Sequence, residues 1–370
     1  MTRRLKRIVI KVGTSTLTDN DGRVDREYIA SLTTQIAALR SEGFDVVLVT
    51  SGAIRAGMER MALKERPKTI PENQAAAAIG QGLLMQTYAE LFARHDVTTG
   101  QVLLTSEDFG HRRRYLNARN TMLTLFRHGA VPIVNENDTV AVEEIRVGDN
   151  DNLAALVASS LEADLLIILS NVAGLYDTQP SKSRSARVIP LVEKITPAIR
   201  AIAGEAQTKD GTGGMRTKVQ AAEIAVNSGV TMVIADGRRP NVIPDIVAGA
   251  QVGTKFVPRE ERLRSRKRWI AFGAAARGGI AVNDGAKRMI CDRGKSLLAA
   301  GITGVTGSFS SGDLVKILDN KGNPFARGLV NYNAAEIEKI KGKRSSDIEG
   351  VLGYRDFDEV IHRDNLVLGA

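Results

Sequence analysis

The first 258 residues alternate short apolar runs with amphipathic segments. The apolar runs predict strands at Leu5–Val12, Phe44–Val49, Thr99–Leu104, Ala130–Val134, Leu165–Leu169 and Thr231–Ala235. The segments between them carry apolar residues at helical spacing and predict helices at Asp25–Ser41, Gln74–Arg94, Asn150–Leu161 and Met215–Asn227. Continuous apolar strands separated by helices are typical of a mostly parallel sheet that is sandwiched by helices. The sequence therefore predicts an α/β domain over residues 1–258.

The pattern changes after residue 258. Residues 259–276 open with a dense run of charges that has no apolar period, and this run predicts a linker. Residues 277–370 contain short β-like pieces separated by glycines, such as GGIAVNDG and GDLVKILDN. Two short helices are predicted among them, at Gly285–Asp292 and Ala334–Lys341. The second part therefore predicts a small β-barrel-like domain.

Composition excludes several classes of protein. The 370 residues are 43% hydrophobic and 25% charged, which is typical of a globular protein. No apolar run approaches the roughly 20 residues that cross a bilayer, and the basic start lacks the apolar segment of a secretory signal peptide. A cytoplasmic location is therefore expected. The single cysteine, Cys291, excludes an internal disulfide and a cysteine-based metal site, and no protein metal site is predicted.

The net charge of +9 is unevenly distributed. Residues 259–370 contain 20 basic and 14 acidic side chains, so this third of the chain contributes most of the excess. One interpretation is a polyanionic partner such as RNA, and the other is an ordinary solvated basic surface. The few aromatic residues of this part are scattered, which argues against a platform for stacking unpaired bases.

Two glycine-containing loops are candidates for phosphate binding. KVGTS, residues 11–15, directly follows the first predicted strand, where ligands of α/β sheets bind. GTGGMRTK, residues 211–218, leads into a predicted helix, whose N-terminus attracts anions. The second loop fits neither the dinucleotide fingerprint nor the Walker P-loop. The first loop taken alone could also be a simple turn.

A polar cluster follows the fourth predicted strand, and Ser51 follows the second. The cluster comprises Asn135, Glu136, Asn137, Asp138, Asp149, Asn150, Asp151 and Asn152. Such density suits recognition of an α-amino group, although Asp and Asn also favour helix caps and solvated turns. No serine–histidine or cysteine–histidine set accompanies it. A carboxylate acceptor, with an ordinary pKa near 4.3, is already a nucleophile, so phosphoryl transfer to it requires positioning and charge neutralisation.

The motifs KVGTS, TSGA, NEND, VGDND and GTGGM-x-TK occur in this order, and with them the chain resembles the amino acid kinase family. The resemblance extends from Ile8 to about His362, because the tail resembles the PUA domain that some members carry. It implies ATP-dependent phosphorylation of the side-chain carboxylate of L-glutamate to L-glutamyl 5-phosphate, the first step of proline biosynthesis. The alternatives are another amino acid kinase, acting on acetylglutamate or aspartate, and an RNA-binding role of the PUA-like tail.

The resemblance also implies roles for individual residues. Lys11 and Lys218 would stabilise the transferring phosphoryl group, and Asp151 would orient them. The implied glutamate-binding residues are Ser51, Asn135, Asp138, Asp149 and Asn150. The implied ATP-binding residues are Lys11, Gly13, Thr14, Ser170, Asn171, Thr212, Gly213, Gly214, Met215, Arg216, Thr217 and Lys218. Asn171 and Arg146 stand where relatives often carry aspartate and lysine.

The same resemblance implies several partners. ATP would be used with Mg²⁺, and the chain would form a homo-oligomer, either a dimer or a tetramer. Proline would act as a feedback inhibitor. A glutamyl phosphate reductase would cooperate with the enzyme, because an acyl phosphate product is labile.

Overall fold

The structure is a computed structural model that describes residues 5–19, 21–110, 112–140, 150–178, 185–205, 214–258 and 276–369. These residues form two compact units, one within residues 5–258 and one within residues 276–369. The predicted linker at residues 259–276 lies outside the described residues except for Ala276, so the domain boundaries stay a prediction. In the described part of the chain, no helix is both long and apolar enough to cross a membrane.

The first unit is a sheet with helices. Its strands are β1 (Arg7–Val12), β2 (Asp45–Val49), β3 (Thr99–Leu104), β4 (Val131–Glu136), β5 (Leu165–Ser170), β6 (Leu191–Val192), β7 (Thr231–Asp236) and β8 (Thr254–Phe256). Its helices are α1 (Thr14–Leu17), α2 (Arg26–Ser41), α3 (Ala53–Arg60), α4 (Ile70–Ala93), α5 (Ser106–Gly110), α6 (Arg112–Arg127), α7 (Asn150–Ser160), α8 (Pro197–Glu205), α9 (Met215–Asn227) and α10 (Val242–Val247).

The strand order in the first sheet is β3-β4-β2-β1-β5-β7-β8-β6. Neighbouring strands are parallel except for the pair β7 and β8, which is antiparallel. This arrangement confirms the predicted α/β fold class. All six predicted strands are present, with ends within two residues of the expected positions.

The central strand β1 is apolar because it is covered on both sides. Ile8, Val9 and Ile10 are fully buried, and they pair in register with β2 on one side and β5 on the other. Lys11 is the first charged side chain near the carboxyl end of this strand, paired opposite Val49 and Ile168. The buried run before it therefore places Lys11 at the carboxyl edge of the sheet.

Two differences from the sequence prediction have local reasons. Helix α4 begins at Ile70, four residues before the predicted start, because the Thr69 side chain caps it and Pro71 lies in its first turn. Helix α6 was not predicted, since its first residues, Arg112–Arg114, are all charged and obscure the apolar repeat. Tyr115 and Met122 of that helix are nevertheless buried.

The second unit contains a separate sheet in the order β10-β9-β11-β12-β13. Its strands are β9 (Gly278–Val282), β10 (Ile302–Gly307), β11 (Leu314–Leu318), β12 (Pro324–Leu329) and β13 (Leu366–Leu368). Its helices are α11 (Asp284–Arg293), α12 (Ala334–Ile340) and α13 (Ile348–Leu352). Both predicted short helices are present as α11 and α12, and an asparagine side chain caps the N-terminus of each.

Helices α3 and α4 cross in direct backbone contact. A Cβ atom on Gly80 would lie 1.8 Å from the Ala53 carbonyl oxygen, and one on Gly57 would lie 1.8 Å from the Ala76 carbonyl oxygen. Real Cβ atoms do not approach backbone oxygens this closely, so any side chain at either position would force the helices apart. The crossing therefore depends on these two glycines.

We expect Gly80→Ala to lower the free energy of unfolding by about 3 kcal/mol, because the added methyl group overpacks the crossing. The matched control is Gly82→Ala on the same helix, where an added Cβ would have nothing within 4 Å. That control should raise stability by up to about 1 kcal/mol through helix propensity. Urea unfolding of both variants tests this, and a Gly80→Ala protein as stable as the parent would contradict it.

Candidate active site

The predicted site residues converge at the carboxyl edge of the first sheet. Lys11 lies near the end of β1, Ser51 follows β2, and Asn135 lies near the end of β4. Asn150 and Asp151 form the first turn of α7, and Lys218 lies in the first turn of α9. Residues far apart in the chain therefore meet at the sheet edge where ligands of parallel sheets bind.

A buried carboxylate between two lysines forms the charged half of the site. The Asp151 Oδ1 atom lies 2.5 Å from Lys11 Nζ, and its Oδ2 atom accepts a hydrogen bond from Lys218 Nζ at 3.1 Å. Asp151 is fully buried, and Lys11 and Lys218 are 5% and 7% exposed. Two ammonium groups facing one carboxylate leave one excess positive charge. This cluster is suited to an anionic ligand such as a phosphate group.

Burial alone would raise the pKa of Asp151, but Lys11 and Lys218 outweigh it and lower the pKa of this carboxyl well below its ordinary value. The carboxylate is therefore ionised at neutral pH. Thr217 lies beside it, with Oγ1 3.1 Å from Asp151 Oδ2 and 2.7 Å from the Gly214 carbonyl oxygen. The contact between Thr217 and Asp151 was not predicted, although Thr217 was expected in the ATP-binding loop.

Amide side chains form the neutral half of the site. Asn150 donates from Nδ2 to Ser51 Oγ at 3.0 Å, and its Oδ1 accepts from the backbone N–H of Glu136 at 3.2 Å. The Asn135 Oδ1 atom accepts from the same N–H at 2.9 Å. These bonds connect the end of β4, the loop after β2 and the start of α7. The structure thus brings together Ser51, Asn135 and Asn150.

Asp138 lies two residues beyond the end of β4 and is half-buried. Burial raises the pKa of its carboxyl to about 6, although Arg66 acts in the opposite direction. A carboxylate that is poorly hydrated in this way gains more from a cationic ligand than an exposed one does. Asp138 is therefore suited to an ammonium group.

The predicted nucleotide-binding residues that the structure describes lie after β1, at the end of β5 and at the start of α9. Gly13 and Thr14 begin α1 directly after β1, and a Cβ atom on Gly13 would lie 3.4 Å from Lys11 Nζ. Ser170 ends the neighbouring strand β5, followed by the exposed Asn171. Gly214 precedes α9, whose first residues are Met215 and the exposed Arg216. Asp149, Thr212 and Gly213 lie outside the described residues, as does Arg146.

One polar residue of this region was missed by sequence analysis. Gln81 of α4 accepts a hydrogen bond at Oε1 from Asn135 Nδ2 at 2.8 Å. The sequence around it, the small apolar run AAAAIGQG, contains no pattern that marks Gln81 as a site residue. No group of three or more His, Cys, Asp or Glu side chains suited to a metal ion occurs among the described residues.

Comparison with known families identifies the class of protein. Residues 6–236 match the amino acid kinase family, and residues 278–352 match the PUA domain. Among solved structures, carbamate kinase from Giardia lamblia bound to AMP-PNP is 18% identical with a TM-score of 0.48, and the match covers 69% of this chain and 99% of that one.

Curated relatives narrow the class. Glutamate 5-kinase of Caldanaerobacter subterraneus subsp. tengcongensis is 53% identical over 98% of this chain and 97% of the relative. Glutamate 5-kinase of Moorella thermoacetica is 50% identical over 98% of this chain and 96% of the relative. The chain therefore belongs to the amino acid kinase family and, within it, to the glutamate 5-kinases.

We expect Asp151→Asn to lower the free energy of unfolding by about 3 to 5 kcal/mol, because it leaves two buried ammonium groups without their carboxylate. Adding Lys218→Met should recover part of this loss, since one unpaired charge is then removed. Chemical denaturation of the parent, both single variants and the double variant measures the coupling. Strictly additive effects would contradict the pairing.

Proposed function

We propose that this protein transfers the γ-phosphoryl group of ATP to the side-chain carboxylate of L-glutamate, giving L-glutamyl 5-phosphate and ADP. The observation that carries the proposal is the buried Lys11–Asp151–Lys218 cluster, with its excess positive charge at the carboxyl edge of the sheet. The relatives named glutamate 5-kinase, at about half identity over nearly the whole chain, support glutamate as the acceptor.

The reaction needs no general base on the protein. The acceptor carboxylate, with an ordinary pKa near 4.3, is ionised at neutral pH. Its oxygen forms a bond to the γ-phosphorus while the bond from that phosphorus to the β,γ-bridging oxygen breaks and ADP leaves. Lys11 and Lys218 are proposed to stabilise the negative charge on the phosphoryl oxygens. Asp151 is proposed to hold both ammonium groups in place, so that no reorganisation is needed during transfer.

Glutamate recognition is assigned to Asp138 and to the neutral half of the site. We propose that the Asp138 carboxylate pairs with the α-amino group, and that Ser51, Asn135 and Asn150 supply further hydrogen bonds. Asp149 remains in the proposal as an additional glutamate-binding residue. The backbone N–H of Glu136 and the Ser51 hydroxyl already fix the Asn150 amide, so this side chain is oriented before the substrate arrives.

ATP binding is assigned to the residues that flank the lysines. We propose that Gly13, Thr14, Gly214 and the loop through Thr212 and Gly213 receive the phosphates, with Met215, Arg216, Ser170 and Asn171 nearby. The buried excess charge and the side-chain-free Gly13 next to Lys11 Nζ fit a phosphate group. Mg²⁺ bound with the nucleotide would supply further positive charge on the phosphates. The described residues contain no acidic cluster to hold this ion independently.

The proposal extends to the partners that the family resemblance implies. These are a homo-oligomer, feedback inhibition by proline, and a glutamyl phosphate reductase that receives the labile acyl phosphate. A cytoplasmic location is consistent with a biosynthetic enzyme of this kind. RNA binding by the basic PUA unit stays a prediction.

A substrate panel tests the proposed function directly. ATP and Mg²⁺ are supplied with glutamate, acetylglutamate or aspartate, with and without proline, and ADP formation is followed. Hydroxylamine added to the assay converts an acyl phosphate into a hydroxamate, which identifies the product. ADP and hydroxamate should form with glutamate, and turnover of acetylglutamate or aspartate alone would overturn the proposal.

We expect Lys218→Met to lower kcat by at least about a hundredfold, because a charge that stabilises the transition state is lost. The KM for glutamate should change far less. Lys255→Met on β8 is the control, since this lysine is exposed. Steady-state kinetics of both variants decide the matter, and a Lys218→Met enzyme within a few-fold of the parent would remove Lys218 from the catalytic role.

We expect the KM for glutamate to rise as the pH falls below about 6, because protonation then neutralises Asp138. Above that pH the carboxylate is ionised and can pair with the α-amino group. Asp138→Asn should raise this KM at least about tenfold at pH 8 and abolish its dependence on pH between 5 and 7. The KM for ATP serves as the internal control. An unchanged pH profile in the variant would exclude Asp138 as the titrating group.

A further inference from the structure

The side-chain nitrogen of Gln81 is a hydrogen-bond donor that the proposed function leaves unexplained. Gln81 Nε2 is buried, and no acceptor for it occurs among the described residues. Buried amide donors are normally satisfied, so an unsatisfied one within a functional site calls for an explanation. The atom is able to donate to an acceptor that enters the site.

Neighbouring hydrogen bonds fix the orientation of this amide. The backbone N–H of Glu136 can only donate, so the Asn135 atom that faces it is the acceptor, Oδ1. The other end of the Asn135 amide, Nδ2, therefore faces Gln81. Asn135 Nδ2 can only donate as well, and it therefore faces Gln81 Oε1 at 2.8 Å. It follows that the two N–H bonds of Gln81 Nε2 point away from Asn135.

The position of the α4 backbone at Gln81 is set by close contact with α3. Gly80, the preceding residue, lies against the Ala53 carbonyl oxygen and the Gly57 backbone nitrogen of α3. Helix α3 begins directly after Ser51 and Gly52, which belong to the same sheet edge. The glycine crossing thus places Gln81 beside the neutral half of the site and limits its movement.

The strand order indicates which part of the amino acid Gln81 meets. Lys11 lies on β1, Ser51 follows β2, and Asn135 lies on β4, and these strands are consecutive in the sheet. Adjacent strands are about 4.8 Å apart, so β4 lies about 10 Å from β1. The reacting carboxylate must lie by the lysines, and the α-carbon end of the substrate therefore extends toward β4 and Gln81.

We infer that Gln81 Nε2 donates a hydrogen bond to the α-carboxylate of the amino acid substrate. Asp138 is assigned to the α-amino group, and the side-chain carboxylate reacts with the phosphoryl group beside the lysines, so the α-carboxylate is the remaining acceptor. The inference rests on the proposed function. It makes Gln81 a specificity residue that favours a group made of acceptor atoms only, such as an α-carboxylate.

The test compares glutamate with its α-amide, isoglutamine, in Gln81→Glu. The substitution preserves shape but replaces two donors by acceptors, which repel an α-carboxylate and accept from an α-amide. The ratio of kcat/KM for glutamate to that for isoglutamine should fall at least about thirtyfold. If isoglutamine is not turned over, its inhibition constant divided by the KM for glutamate is compared between the parent and the variant instead. This quotient should fall by the same factor. A ratio within threefold of the parent value overturns the inference.

The ratio separates recognition from a merely structural role. If Gln81 only supported Asn135, both substrates would be weakened alike and the ratio would stay constant. Gln86→Glu on the same helix is the matched control, because Gln86 is exposed and bonds only Glu90 in the described structure. This control should keep the parent ratio, and circular dichroism with thermal unfolding checks that each variant folds.

Failure of this inference is distinguishable from failure of the proposed function. A parent enzyme that forms no ADP with glutamate rejects the function and, with it, the role of Gln81. A parent that phosphorylates glutamate, together with a Gln81→Glu variant of unchanged ratio, rejects the Gln81 contact alone.

Discussion

The carboxylate of Asp151 between two lysines is the interaction on which the first unit depends. A fully buried carboxylate is costly unless it is paired, and two buried ammonium groups are costly without it. The three side chains come from β1, α7 and α9, so none of these elements can shift without separating buried charges. Neighbouring contacts support the arrangement, since every residue of α7 from Asp151 to Ser160 is buried and Ser159 bonds Ser228 just after α9.

The chain connects the two halves of the site through a single peptide bond. Asn150 directs its amide toward Ser51 and the Glu136 backbone, and Asp151 directs its carboxylate toward Lys11 and Lys218. Successive residues in the first helical turn point in different directions, so one turn of α7 serves both halves. The distance between the proposed phosphoryl-transfer and substrate-recognition groups is therefore set by helix geometry rather than by a loop.

The sequence predicts local features of this fold better than the contacts between them. The strands were predictable because each is a continuous apolar run, and Lys11 and Lys218 because glycine loops precede or follow them at element ends. Helix α6 was missed because its arginines mask the apolar face, yet Arg119 bonds the Ser160 carbonyl oxygen at the end of α7. The contacts of Gln81 with Asn135 and of Thr217 with Asp151 depend on how helices pack, and no local pattern encodes them.

The division into a charged and a neutral half has a physical reason. Phosphoryl transfer requires excess positive charge, and any additional buried cation near Asp151 would compete with the lysines for its carboxylate. Amides avoid this competition, since the side chains of Asn135, Asn150 and Gln81 carry no net charge. They require exact orientation instead, because an amide has distinct donor and acceptor ends. The glycine contact of α3 with α4 and the backbone N–H of Glu136 provide that orientation. Close helix packing is in this way a condition for the proposed selection of the substrate.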